Sequence, residues 1–117
     1  MSKNKDKSAE EKEYERLKVQ YSALPPKKMA LADGLMRQAA RLRVYLDDLW
    51  ADIRENGTTE MFSQSEKTDP YERERPAARL FVSVDKNYQS VMKQLQDMLP
   101  GEQKEDNTLS DFAKKFE

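Results

Sequence analysis

A chain of 117 residues with 37% apolar and 37% charged side chains has room for one small core and no more. It contains no cysteine and no histidine, which excludes thiolate nucleophiles, imidazole bases and Cys/His zinc sites together. Its net charge of −1 gives no global attraction to nucleic acid, and no apolar run approaches the ~20 residues that a membrane span needs.

Residues 1–13 are almost entirely charged or small and read as a disordered arm. The lysines at its start are not followed by the apolar segment of a secretory signal, so a cytoplasmic location is expected. Ser8 and Glu11 have capping-box spacing, and Tyr14, Leu17, Tyr21 and Leu24 follow at intervals of three and four, which predicts a short helix. Pro25-Pro26 interrupts that helix, because each proline lacks an N–H and disfavours the α conformation in the residue before it. Pro26 is also suited to open the next one.

A long helix is predicted over residues 27–55, with Ala32, Leu35, Ala39, Leu42, Leu46, Leu49 and Ile53 as its seam. Asn56-Gly57 closes it, since both residues tolerate the left-handed conformation of a last turn. From Thr58 to Thr68 the chain is polar apart from Met61 and Phe62 and reads as a loop. A second long helix is predicted over 70–99, capped by Asp69, with Pro70 at its first position and Glu72 at the capping-box position. Its seam is Ala77, Phe81, Val84, Tyr88, Val91, Leu95 and Met98, and Pro76 inside it requires a kink or a restart. Pro100-Gly101 ends it.

The expected fold class is therefore all-α, an antiparallel hairpin of two long helices within a helical domain at 14–100, with a short N-terminal helix beside it. Charge supports the antiparallel arrangement. Lys27, Lys28, Arg37, Arg41 and Arg43 make the early half of the first long helix basic, while Asp47, Asp48, Asp52 and Glu55 make its late half acidic. That polarity opposes the helix dipole. A neighbour running the other way would bring Arg73, Arg75 and Arg79 to the acidic end and Asp97 and Glu102 to the basic end.

The apolar stripes are wider than one helix pair covers. Leu31, Met36, Tyr45 and Trp50, with Leu80, Met92 and Leu99, would stay partly wet in a lone hairpin. Self-association or docking of the N-terminal helix is the simplest cover. Met36, Tyr45 and Trp50 are the candidate oligomer-interface residues.

No Gly-rich phosphate loop, G-x-S-x-G turn or H-E-x-x-H occurs, and only three glycines are present. Asp47, Asp48 and Asp52 have a spacing common to solvated acidic faces, so neither an enzyme nor a metal or other cofactor is expected. Arg79, Lys86 and Lys93 repeat every seven residues on the side opposite the second seam, a basic stripe that could follow a phosphate backbone, with Arg73 and Arg75 as an extension. After an acidic linker, residues 101–117 carry Leu109, Phe112, Ala113 and Phe116 at helical spacing, a pattern suited to docking a protein partner.

The string Pro70-Tyr71-Glu72-Arg73-Glu74-Arg75-Pro76-Ala77-Ala78-Arg79-Leu80-Phe81, continued by Asp85-Lys86-Asn87-Tyr88-Gln89-Ser90-Val91-Met92-Lys93-Gln94-Leu95 and Met98-Leu99-Pro100, carries a resemblance. It resembles the C-terminal helix of small phage and prophage proteins of Gram-positive hosts that are grouped with the phage terminase small subunit, and the similarity extends over residues 27–100. The resemblance implies a non-catalytic, oligomeric DNA-packaging component in the bacterial cytoplasm that contacts DNA, the large ATP-hydrolysing terminase subunit, or both. The chain departs from the better-understood small terminases in having no helix-turn-helix before the hairpin, which weighs against specific DNA recognition and leaves assembly and partner docking. The alternative is a helical adaptor or assembly protein with no nucleic-acid role.

Overall fold

A computed structural model describes residues 7–100. Its elements are α1 (Ala9–Gln20), α2 (Pro26–Asn56), β1 (Thr59–Phe62), β2 (Tyr71–Glu74) and α3 (Pro76–Met98), so the chain is mostly helical but carries a small antiparallel sheet. Ser8 is the N-cap of α1 and its hydroxyl accepts from Glu11 N at 3.1 Å. The charged arm is therefore shorter than residues 1–13, because 9–13 are already helical. Pro26 occupies the first position of α2, and Gly57 ends it with φ +82°, a conformation that only glycine adopts without strain.

The predicted loop and the predicted start of the second long helix are both corrected. Thr59, Glu60, Met61 and Phe62 pair with Glu74, Arg73, Glu72 and Tyr71 respectively, and Arg75 N donates to Thr58 O at 2.8 Å to extend the ladder. Asp69, Pro70 and Glu72 thus cap nothing. Helix α3 begins at Pro76, with Arg75 in an extended conformation ahead of it, because a residue before proline is pushed out of the α region while proline itself fits the first turn. Of the two outcomes open at Pro76, the restart is the one observed.

The core has two clusters. In one, Leu17, Tyr21 and Leu24 pack against Ala32, Met36 and Ala39 of α2 and Val91 and Leu95 of α3. In the other, Leu46 and Leu49 meet Ala77 and Val84, flanked by Leu42, Phe81 and Tyr88. The early half of α2 lies against the late half of α3, and the reverse, so the two helices run antiparallel. Helix α1 covers one end of this pair and the β-hairpin stands at the other. Ala32, Ala39 and Ala40 are all fully buried, and their small side chains allow the helices to approach closely.

The expected exchange of charge between the helices is realised in part. Arg75 Nη2 lies 3.0 Å from Asp52, and Lys28 Nζ donates to Met98 O at 3.3 Å. Arg73 instead pairs with Glu60 across the hairpin, Arg79 with Glu74, and Asp97 with Lys93 one turn back on its own helix. Glu102 lies outside the described residues. No helix is long and apolar enough to cross a membrane among the described residues.

Leu46 is 1% exposed at the centre of the second cluster. Leu46→Ala should lower the unfolding free energy by about 2–5 kcal/mol, read from urea titration. A loss below about 0.5 kcal/mol, the range of surface substitutions, would place Leu46 outside the core.

Candidate interaction surfaces

Three surfaces present themselves, and the first is the outer face of α3. Its helical register places Arg79, Lys86 and Lys93 one above another, and all three are exposed. Their field is diluted by neighbours: Arg79 Nε lies 3.3 Å from Glu74 and Lys93 Nζ 3.4 Å from Asp97. Among the described residues, Lys86 has no carboxylate within 4.0 Å. Arg75 does not extend this stripe. Its guanidinium donates to both Asp52 oxygens at 3.0 and 3.1 Å and to Gly57 O at 2.8 Å, tying the hairpin to the end of α2. Asn56 and Arg75 together hold the Asp52 carboxyl below its ordinary range. A structural clamp of this kind leaves little of Arg75 for phosphate.

The second surface is the β-hairpin. On one of its faces the Arg73 guanidinium sits 3.5 Å above the Phe62 ring and pairs with Glu60 at 2.8 Å, while Phe62 and Tyr71 meet edge to face at 5.9 Å. Such cation–π and cross-strand contacts stiffen a two-stranded sheet that would be marginal alone. Between the hairpin and α3 lies an open groove of about 560 Å³ lined by Arg73, Glu74, Pro76, Arg79, Leu80 and Ser83. The carboxylate in that lining, Glu74, is paired with Arg79 at 3.3 Å. Reading 70–75 as helix hid this groove. The usable signal was Pro76, which disfavours helix in the residue before it, together with the pairing of Phe62 with Tyr71.

The third surface is apolar. Of the three candidate interface residues, Met36 is fully buried beneath α1 and is withdrawn, whereas Tyr45 and Trp50 are 43% and 51% exposed. The Trp50 ring centroid lies 5.7 Å from that of Phe81. Leu31 and Leu80 are also exposed. Met92 and Leu99 are half-buried against the cluster that α1 completes, so docking of α1 supplies part of the expected cover. The docking candidates Leu109, Phe112 and Phe116 lie outside the described residues.

Between α1 and α2, the Tyr14 hydroxyl donates to Asp33, Arg37 Nε pairs with Asp33 at 3.0 Å, and the Arg37 guanidinium lies 4.1 Å over the Tyr14 ring. This pins α1 in place and holds the Asp33 carboxyl below its usual range, the Tyr14 hydrogen bond being the larger cause and Arg37 the next. Arg16 lowers the Glu13 carboxyl in the same way. No group of three or more acidic residues could hold a metal ion among the described residues. Asp47 and Asp52 are engaged by Arg43 and Arg75.

No family model matches the chain, and neither a curated protein nor a solved structure is significantly similar to it.

Glu13, Asp33 and Asp52 all have folded-state pKa values below their unfolded ones, so the stability they contribute is complete above the unfolded values, from about pH 5 upward. It is lost as pH falls through the folded values. The melting temperature should therefore be flat from neutrality to about pH 5 and decline below it. Asp33→Asn should lower the neutral-pH value and make the acid limb shallower. An acid limb unchanged in that variant would show that Asp33 does not secure α1.

Proposed function

We propose that the chain is a non-catalytic assembly component that works by docking helical surfaces, in the manner that its resemblance to phage terminase small subunits implies. The observation that supports this reading is the display of Leu31, Tyr45, Trp50 and Leu80 in exposed positions on α2 and α3, helices whose opposite faces are held in a packed core. Side chains fixed on such a scaffold lose little further freedom when a partner covers them, so they are suited to protein contact. On this reading the partners are further copies of the chain and a larger protein such as the packaging motor, within the bacterial cytoplasm. The tail bearing Leu109, Phe112 and Phe116 is the second docking element. Sedimentation at micromolar concentration should give a species larger than one chain, and a single monomeric species across a wide concentration range would overturn self-assembly.

A second reading, direct DNA contact during packaging, is favoured by one specific observation: Arg79, Lys86 and Lys93 form an exposed line along α3. It separates the packaging role from that of an adaptor with no nucleic-acid partner. Three neutralised phosphates correspond to a log–log salt slope of about −3 for duplex DNA. Binding at low salt should follow that slope, and changing all three residues to Glu should abolish it with helicity intact, since they lie off the seam. Absence of binding at low salt would leave the stripe as a solvated face and the adaptor role in its place.

A further inference from the structure

Helix α2 carries a second line of residues at heptad spacing that the fold engages only at Arg41, whose guanidinium reaches Glu10 of α1 at 3.2 Å. Leu31, Gly34, Gln38, Arg41, Tyr45 and Asp48 follow one another at spacings of three and four, and every one of them is exposed. This line lies about 100° around the helix from the seam that meets α3. Helix α1 covers the flank bearing Met36 and Ala40, which are fully buried, and Leu31, Gln38 and Tyr45 occupy the opposite flank. Single exposed apolar residues are ordinary on a protein surface. Here Leu31 at 68% exposure and Tyr45 at 43% lie two heptads apart on the same line of the helix.

We propose that two copies of the chain pair through this face of α2, antiparallel, about a two-fold axis level with Ala39 and Ala40. The proposal rests on the assembly reading above and names its surface. Charge decides the occupant. Helix α2 is basic early and acidic late against its own dipole, and much of this is offset locally: Arg37 pairs with Asp33, Arg41 with Glu10 of α1, Arg43 with Asp47 and Asp52 with Arg75, while Lys28 donates to Met98 O. Among the described residues, Lys27 and Asp48 have no ion-pair partner. A second α2 running the other way brings the complementary polarity by symmetry, since each end meets its opposite.

The register follows from pairing the two heptad positions across an antiparallel contact. Gly34 faces Tyr45 of the partner subunit, Gln38 faces its Arg41, and Lys27 comes opposite its Asp52 and within a turn of its Asp48. Leu31 then lies beside Tyr45 and Leu49 of the partner subunit. Glycine inside an exposed helix is a poorer helix former than alanine, and nothing packs within 4 Å of where a Gly34 Cβ would stand. The incoming tyrosine ring uses that open space. Parallel pairing would instead set Asp48 on Asp48, Lys27 on Lys27 and glycine on glycine.

The chain has no cysteine, so the register can be read by disulfide trapping in the full-length protein. The double variant Gly34→Cys, Tyr45→Cys should yield covalent dimer under mild oxidation, because the two thiols meet only across the contact. Within one copy they are eleven residues apart, about 16 Å along the helix. Either single variant should stay uncross-linked, and a dimer from Gly34→Cys alone would indicate parallel pairing and overturn the proposal. Leu31→Asp should raise the dimer dissociation constant by about ten- to a hundredfold, with circular dichroism unchanged because Leu31 is not part of the fold's core. If the native chain assembles but neither the double-cysteine trap nor Leu31→Asp has an effect, assembly stands and this interface fails. A native chain that is monomeric at high micromolar concentration overturns both.

Discussion

The antiparallel seam between α2 and α3 is the constraint from which the other features follow. Leu46 and Leu49 against Ala77 and Val84 set the register of the two helices. That register determines where every flanking residue falls. It brings Lys28 to the last carbonyls of α3 and places Arg75 beside Asp52. Once those ends are fixed, the connection from Gly57 to Arg75 has to start and finish close together, a requirement that a hairpin meets well. The sheet is thus a consequence of helix register, strengthened by the Arg73–Phe62 and Phe62–Tyr71 contacts rather than by any core of its own.

A second helix pair alone would leave this chain short of buried surface. At fewer than ~70–80 ordered residues one core rarely supplies more than ~3–5 kcal/mol. Helix α1 relieves the shortage at one end only, contributing Leu17, Tyr21 and the following Leu24 to the first cluster. Where α1 stops, no third helix lies on α2 and α3 among the described residues, and Trp50 stays half-exposed with its ring 5.7 Å from Phe81, which flanks the second cluster. Among the described residues, the division into a three-helix end and a two-helix end comes from the length of α1, which runs from its N-cap Ser8 to Gln20, ahead of Pro25-Pro26.

Charge has a double use in this chain. Most cations and carboxylates form exposed pairs of small individual worth, such as Arg16 with Glu13 or Arg43 with Asp47. A minority sit where the partner is fixed by tertiary structure, Arg75 above all. The cations left outward on α3 are accompanied by Glu74 and Asp97, which keeps the local field modest and favours protein contact over strong phosphate binding. Most of the charges of α2 are paired, Arg37 with Asp33, Arg41 with Glu10 of α1, Arg43 with Asp47 and Asp52 with Arg75, and among the described residues Lys27 and Asp48 remain without an ion-pair partner.

By itself the sequence determined the three helices and the α2–α3 seam, because a period of three and four residues is a local property that any window of the chain displays. Ser8 with Glu11, Pro26 and Gly57 likewise declare their roles through backbone chemistry alone. Tertiary structure decided the rest. Tyr71–Glu74 carries acidic and basic residues that suit a helix start as well as a strand, and only pairing with Thr59–Phe62, across the intervening loop, selects the strand. Met36 and Tyr45 both flank the seam in the sequence, yet one is fully buried and the other exposed, since the side on which α1 docks is set by three-dimensional packing. Arg75 and Arg79 look alike in the stripe. A carboxylate and a carbonyl brought from α2 and Gly57 make the first a clamp, and the lack of them leaves the second at the surface.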